Sequence, residues 1–240
     1  MGISSLSKCV SLLVSTGIIV ALPEEVKTLT RLALKSQQPH KLSNNLYIIL
    51  AGMGANNARL AAEKLIALGT KKLISWGCAG ALAPHLKAGD LIIPKHLNTI
   101  IWHNQLIKIL DNNTFNIYQG QLINTPDIIS THSEKKQYYQ NTQAIAVDME
   151  STTIATIART HNLAFLCLRS IVDPANMSLP HAITYASGSK GKISLPKLLS
   201  YLCLHPTELL PLIKLARYFH SATRSLTQLS KQLPAITSLV

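Results

Sequence analysis

Residues 72–80 have the sequence KLISWGCAG, in which a buried-strand pattern runs directly into a glycine-rich segment. Lys72–Trp76 is a short aliphatic and aromatic run, typical of a strand that is covered on both faces. The following Gly77-Cys78-Ala79-Gly80 either lets a flat ligand approach the backbone or turns the chain tightly. The pattern by itself favours neither of these two interpretations.

The same strand-then-helix pattern recurs on both sides of this stretch. The predicted strands are Ser15–Leu22, Leu46–Ala51, Lys72–Trp76, Leu91–Pro94, Tyr118–Ile123, Gln143–Met149 and Leu163–Val172. The predicted helices are Glu24–Lys35, one that starts after Gly52-Met53-Gly54 and stops at Gly69, Glu150–His161, and a C-terminal helical region. Apart from the strand Tyr118–Ile123, residues 98–136 show no clear pattern. Repeated alternation of this kind predicts an α/β protein with a mainly parallel sheet covered by helices.

Composition and charge limit the classes of function. The chain has 240 residues, 47% hydrophobic and 14% charged, which excludes a disordered chain. Lysine and arginine number 23 against 11 acidic residues, a formal charge of +12 that indicates an anionic partner such as a phosphorylated molecule or a membrane face. Aromatic content is 5%, without basic–aromatic interleaving, so no nucleic-acid partner is expected.

Cysteine and histidine spacing predicts neither a disulfide framework nor a metal site. The four cysteines lie far apart, and the nine histidines show no metal-ligand spacing. We therefore expect reduced thiols, a cytoplasmic protein and no metal. Lys8 and the apolar stretch after it weakly resemble a signal peptide, but we favour a short N-terminal extension, residues 1–15, before the first strand.

Five of the 11 acidic residues fall where predicted strands end, namely Glu24, Glu25, Asp148, Glu150 and Asp173. Each one singly suits the first turn of a helix, where a carboxylate complements the helix dipole. Together they favour a site, because the carboxyl ends of parallel strands meet at one edge of the sheet.

Asp173 is the best candidate for acid catalysis. Pro174 restricts it to an extended conformation, and the aliphatic run before it should desolvate the carboxyl group. Desolvation raises the pKa of a carboxyl group, which makes it a usable general acid near neutral pH. Two carboxyl groups that flank one bond, one protonating the leaving group and the other activating the nucleophile, suit cleavage through an oxocarbenium-like state.

Several segments together resemble the purine nucleoside phosphorylase and methylthioadenosine/S-adenosylhomocysteine nucleosidase superfamily, over about residues 16–175. The segments that carry the resemblance are Ala21-Leu22-Pro23-Glu24-Glu25-Val26, Gly52-Met53-Gly54, Ser75-Trp76-Gly77-Cys78-Ala79-Gly80-Ala81-Leu82, Lys87-Ala88-Gly89-Asp90, Ala146-Val147-Asp148-Met149-Glu150-Ser151 and Arg169-Ser170-Ile171-Val172-Asp173. Asp173-Pro174-Ala175, Leu179-Pro180 and the leucine-rich stretch 195–215 are similar to the hopanoid-associated phosphorylase branch. Members of that branch are thought to remove adenine from adenosylhopane.

The resemblance implies a three-layer fold with a central, largely parallel mixed sheet, and an enzyme that cleaves the N-glycosidic bond of a 5′-substituted adenine nucleoside. Asp173 would protonate N7 of adenine and Glu25 would activate water. Glu150 would bind the ribose hydroxyls, with Met149 under the sugar. The other substrate-binding residues implied are Cys78, Ala79, Gly80 and Gly52, with Ile128 at the position of the purine-stacking aromatic.

The resemblance leaves the reaction and the substrate open. Ser75 and Cys78 stand where phosphorylases place an arginine and a serine, and Glu25 would repel phosphate, which favours hydrolysis with phosphate as an alternative co-substrate. A methylthioadenosine/S-adenosylhomocysteine nucleosidase or a general purine nucleoside phosphorylase is the alternative. A second alternative is a non-catalytic basic module that binds lipid or RNA. The resemblance also implies a homodimer.

The C-terminal residues 205–240 predict a basic amphipathic helix beyond a catalytic domain at 16–204. Its apolar positions are Leu209, Leu212, Ile213, Ala216, Phe219, Ala222, Leu226, Leu229 and Leu233. Such a helix packs on its own core or on a dimer partner, or it lies on a membrane and brings the enzyme to a lipid-linked substrate. In the last case the cytoplasmic protein would be peripheral on the inner membrane face, and deletion of Pro206–Val240 would reduce liposome binding.

Overall fold

The structure is a computed structural model that describes residues 14–94, 100–110, 114–186 and 195–239. Of the predicted N-terminal extension, residues 1–13 lie outside the described residues, as do residues 187–194 before the C-terminal helices. The strands are β1 Thr16–Val20, β2 Pro39–Ser43, β3 Leu46–Leu50, β4 Lys72–Ala81, β5 Leu91–Ile92, β6 Ile117–Tyr118, β7 Leu122–Asn124, β8 Ala146–Asp148 and β9 Ala164–Asp173. The helices are α1 Pro23–Val26, α2 Ala55–Ala67, α3 Ile100–Leu110, α4 His132–Thr142, α5 Ser151–Thr160, α6 His181–Ala186, α7 Leu195–Leu204, α8 Leu209–Ser230 and α9 Leu233–Ser238, with a 3-10 turn at Pro206–Glu208.

The strands form a mixed sheet in the order β2-β3-β1-β4-β9-β5-β6, to which β8 adds by pairing with both β4 and β7. The centre of the sheet is parallel, since β1 pairs in parallel with β3 and β4, and β4 pairs in parallel with β9. Antiparallel pairs join β2 to β3, β8 to β4 and β5 to β9.

Helices cover both faces of this sheet. Helices α2 and α5 bury small and aliphatic side chains, such as Ala61 and Ile154, against one face. Helices α3, α8 and α9 cover the other face, where Trp102, Leu226 and Ile236 pack against the strands. Three layers around a largely parallel centre confirm the predicted fold class.

The predicted helix Glu24–Lys35 is wrong beyond its first turn, because α1 ends at Val26. Threonine side chains compete there for the backbone groups that a helix would use. Thr28 Oγ1 donates to the carbonyl of Glu25 at 2.6 Å, and the amide of Leu32 donates to Thr30 Oγ1 at 3.2 Å. The chain instead continues in turns toward β2, which the sequence did not predict.

The segment Gly77–Gly80 does not turn. It continues β4 as far as Ala81, because Gly77–Gly80 pair with β9 on one side, and Gly80 and Ala81 pair with β8 on the other. Of the two interpretations of these glycines, the tight turn is therefore wrong.

Within the described residues, no helix combines the length and the hydropathy that crossing a bilayer requires.

Candidate active site

Acidic residues at the ends of β1, β9 and β8 come together at one edge of the sheet, although β8 pairs antiparallel with β4 and reaches this edge from the opposite direction. Glu25 lies in α1, directly after β1, and Asp173 is the last residue of β9. Glu150 lies between β8 and α5. Since β1, β4 and β9 are parallel neighbours, their carboxyl ends share this edge. Strand β4 lies between the other two, and its C-terminal residues Gly77–Gly80 line the site.

The carboxylate of Glu25 is buried against β4. The side chain is 3% exposed, Oε1 accepts the amide proton of Cys78 at 2.7 Å, and Oε2 accepts that of Leu22 at 3.0 Å. A Cβ at Gly77 would lie only 2.7 Å from Oε1, so a larger residue at this position would displace the carboxylate. Burial raises the pKa of Glu25, and the amide of Cys78 opposes that rise by hydrogen bonding to the carboxylate.

The carboxylate of Glu150 occupies the glycine loop. Gly54, at φ 94°, donates its amide proton to Glu150 Oε1 at 2.7 Å. The amide at the start of α2 therefore binds a carboxylate of the protein itself. Burial, followed by the negative charge of Asp148, raises the pKa of Glu150 to about 7. Gly52 lies in the same loop, also at positive φ, 87°.

Asp173 lies next to Gly80, near the C-terminal end of β4, and is 6% exposed. A Cβ at Gly80 would be 3.2 Å from its Oδ1, so glycine lets the carboxyl group lie against β4. Ala79 pairs with Ile171 and Gly80 with Asp173, so Val172 of β9 is skipped, and such a bulge re-aims the side chains at the end of β9. Oδ2 accepts a hydrogen bond from Lys135 Nζ at 2.5 Å. Burial raises the pKa of Asp173, and the Lys135 ammonium opposes that rise.

Cys78 lies on β4 between Gly77, which is next to Glu25, and Gly80, which is next to Asp173. Burial, followed by the negative charge of Glu25, raises the pKa of its thiol well above the usual value, and the charge of Asp173 adds to the rise. The thiol therefore lies in the field of both carboxyl groups. Ala79, the next residue on β4, is buried.

Two other predicted binding residues lie at the margins. Met149 is half-buried between Asp148 and Glu150. Ile128 lies in the loop between β7 and α4 and is 40% exposed, next to the buried Ile129.

The sequence assigned no role to two cations of the site. Arg169 on β9 is 3% exposed; its Nε donates to Asp148 Oδ2 at 2.8 Å and its guanidinium to Ser75 Oγ at 2.7 Å. An arginine inside an aliphatic strand was a usable signal, because such a charge needs a buried partner. Lys135 gave no such signal, since it stands beside Lys136 in the stretch that was hardest to interpret.

Comparison with known proteins bears on the same edge of the sheet. The profile of the Phosphorylase superfamily matches residues 15–101 and 101–191. The 5′-methylthioadenosine/S-adenosylhomocysteine nucleosidase of Buchnera aphidicola subsp. Baizongia pistaciae is 28% identical, over 70% of this chain and 82% of that protein.

Two solved structures superpose over almost the whole chain. Futalosine hydrolase of Helicobacter pylori has a TM-score of 0.67 and 15% identity, covering 93% of this chain and 98% of its own. The 5′-methylthioadenosine/S-adenosylhomocysteine nucleosidase from S. pneumoniae, solved with a transition-state inhibitor, has a TM-score of 0.65 and 18% identity, covering 94% and 99%. Similarity at this level of identity establishes a shared fold.

Proposed function

The chain belongs to the phosphorylase superfamily and is an enzyme that cleaves the N-glycosidic bond of nucleosides, and we propose that its substrate is a 5′-substituted adenine nucleoside. In this proposal Asp173 is the general acid, Glu25 activates water and Glu150 binds the ribose hydroxyls. The observation that carries it is the set of three buried carboxyl groups at one end of the sheet. Each of the three has a raised pKa, and two of them lie against glycines of the same strand.

The chemistry follows from the order of these groups along β4. Asp173 transfers its proton to N7 of adenine, so the electron pair of the C1′–N9 bond moves to the departing base. Glu25 takes a proton from the water that attacks C1′. The carboxylates of Glu25 and Glu150 stabilise the positive charge that develops on the sugar, as paired carboxyl groups do in glycoside hydrolysis.

Hydrolysis is the proposed reaction, because the cations near these carboxyl groups are already bound. Arg169 donates to Asp148 and Ser75, and Lys135 donates to Asp173. Phosphate would need free cationic donors, and it would meet the negative charge of Glu25. We therefore expect cleavage to yield free ribose derivative without added phosphate.

The proposed 5′ substituent is the hopane chain of adenosylhopane, which is supported by the similarity of residues 173–175, 179–180 and 195–215 to the hopanoid-associated branch. The alternative is methylthioadenosine or S-adenosylhomocysteine, which the names of the nucleosidase relatives favour. Product analysis with each substrate, with and without phosphate, separates these proposals.

The test of the acid is adenine release by Asp173→Asn. We expect the wild-type protein to release adenine from a 5′-substituted adenosine and Asp173→Asn to be at least about 100-fold slower, because an amide cannot give up a proton to N7. The control is Glu63→Gln, which changes an exposed carboxylate on α2, outside the site, and should leave the rate unchanged. Equal rates for the two variants would contradict the role of Asp173.

We also propose that the enzyme docks on an anionic membrane through the apolar end, defined as Leu204, Leu209, Leu210 and Ile213 of α7 and α8. These side chains are 78%, 49%, 76% and 41% exposed. The exposed Lys214 and Arg217 adjoin them, which adds electrostatic attraction to anionic lipid. A lipid-linked substrate would be met at such a surface.

Substitution at the apolar end tests membrane docking better than truncation. Leu226, Leu229, Leu233 and Ile236 belong to the main core, so deletion of Pro206–Val240 would remove core side chains. We expect Leu210→Glu to reduce sedimentation with phosphatidylglycerol vesicles, whereas Leu32→Glu, at a loop leucine 55% exposed, should not. Unchanged sedimentation would overturn the membrane proposal. A loss of dimer for Leu210→Glu would assign the surface to a second copy instead.

A further inference from the structure

Lys135 is the buried residue of α4. The other residues of α4 are exposed or half-buried, whereas Lys135 is 0% exposed. A buried ammonium is costly unless it is paired and fully hydrogen-bonded. The position of this lysine therefore needs an explanation beyond packing.

The ammonium of Lys135 has acceptors for all its protons. Nζ lies 2.5 Å from Asp173 Oδ2, 2.8 Å from the carbonyl of Met177 and 3.2 Å from that of Pro174. An ammonium has three donors, so these contacts use its full capacity. Lys135 thus joins the carboxyl group of Asp173 to the turn that follows it.

The start of α4 is held rigidly against the same turn. Thr131 and Glu134 form a reciprocal capping box immediately before Lys135. His132 Nδ1 lies 2.8 Å from the carbonyl of Ala175, and the amide of His132 donates to Ser178 Oγ at 3.0 Å. These contacts fix the backbone from which the lysine extends.

We propose, given the function proposed above, that Lys135 is a positioning residue for the general acid: it holds Oδ2 of Asp173, so that Oδ1 carries the proton transferred to the base. An oxygen that accepts a hydrogen bond from an ammonium is the one that carries no proton. When the proton moves from Oδ1 to N7, the carboxylate that remains is stabilised by the adjacent positive charge. No other group gains or loses a proton in this step.

The charges that face Asp173 give this role a pH signature. Lys135 approaches from α4 and Cys78 from β4, and His132 contacts the following turn. The positive charge of Lys135 favours the carboxylate, so its removal lets burial raise the pKa of Asp173 further. The alkaline limb of kcat/KM, where the acid loses its proton, should then move to higher pH.

The experiment compares Lys135→Met and Lys135→Gln with wild type and with Lys136→Met, a matched change at the neighbouring exposed lysine. We expect both Lys135 variants to move the alkaline limb upward by about one pH unit or more. Lys135→Met should lower kcat by about 10-fold or more with little change in KM, and Lys135→Gln less, because an amide keeps a hydrogen bond to Oδ2. Lys136→Met should match the wild type in every measurement.

A second readout does not depend on substrate. The carboxyl carbon of Asp173, assigned in NMR spectra by its absence from Asp173→Asn, should titrate at higher pH in both Lys135 variants. If the wild-type protein releases no adenine, the proposed function fails, and this titration still tests the positioning role.

Folded Lys135 variants whose alkaline limb and carboxyl titration both match the wild type would overturn the inference, whatever their loss of rate. Failure of both variants to fold would overturn it as well, because the lysine would then serve folding. A shift of the titration in Lys135→Gln alone, with Lys135→Met unfolded, supports it.

Discussion

At the scale of single residues, the site is built from carboxyl groups that the protein holds away from water. Burial raises the pKa of Glu25, Glu150 and Asp173, and the pKa of Glu150 reaches about 7. The folded chain therefore binds protons to these groups more tightly than the unfolded chain does. Above the unfolded pKa each group costs stability, because it must ionise while buried.

For Glu150 this cost can be measured as a change in the free energy of unfolding with pH. Its pKa rises from 4.5 to about 7, so its contribution to the free energy of unfolding is largest at low pH and falls as pH rises through that window, by up to about 3 kcal/mol. We expect Glu150→Gln to reduce the fall in stability between about pH 5 and about pH 8, measured by urea unfolding. The exposed Glu24→Gln should keep the wild-type slope. A wild-type slope in Glu150→Gln would contradict the buried, proton-binding state of this carboxyl group.

At the scale of elements, α8 has two halves with different surroundings. Toward its C-terminus Ala222, Leu226 and Leu229 are 0% exposed, and Ser221 Oγ donates to the carbonyl of Ala88 at 3.2 Å. Toward its N-terminus Leu210 is 76% exposed. The amphipathic pattern is continuous along the helix, yet only the C-terminal half covers the sheet.

The two halves should respond differently to the same substitution. Leu226→Ala leaves a cavity in the main core and should lower the free energy of unfolding by about 2–5 kcal/mol. Leu210→Ala should change it by less than about 0.5 kcal/mol, because the side chain is already in solvent. Chemical denaturation of both variants measures the difference. Comparable losses would mean that the apolar end is packed in solution.

At the scale of the whole molecule, one ion pair ties together the strands that carry the site. Arg169 on β9 binds Asp148 at the end of β8 and Ser75 on β4, all of them buried. Asp148 also accepts a hydrogen bond from Ser151 Oγ at 2.9 Å, which fixes the start of α5. Although the sequence placed Asp148 among the acids at strand ends, these contacts occupy its carboxylate within the protein.

Breaking this pair should weaken the entire fold. We expect Asp148→Asn to lower the free energy of unfolding by about 3–5 kcal/mol, since Arg169 keeps its buried charge but loses the carboxylate to which it is hydrogen-bonded. Adding Arg169→Met should cost less than the sum of the single changes, because the two residues form one unit. Glu63→Gln, which breaks the exposed pair with Arg59, should cost less than about 1 kcal/mol. Additive losses for the buried pair would contradict the coupling.

The sequence by itself determined the strands β1, β3, β4 and β9, the helices α2 and α5, the fold class, and the acids at the strand ends, whereas β2, α3 and α4 were not predicted. Hydrophobic period, glycine and proline act locally, and the parallel arrangement follows from the alternation of elements. Together with the resemblance, these signals were enough to predict the superfamily. The 3.6-residue period also predicted α8, but it extended the helix Glu24–Lys35 too far, because the hydroxyl of Thr28 donates a hydrogen bond to the backbone there and that of Thr30 accepts one from it.

Only the tertiary structure decided which charges meet. Lys135 and Asp173 are 38 positions apart on different elements, and Asp148 and Arg169 are 21 apart. Such pairs have no local pattern, because their distance depends on how the strands stack and not on neighbours along the chain. The same holds for the glycines of β4, because the carboxyl groups of Glu25 and Asp173 lie against them only once β1, β4 and β9 are side by side.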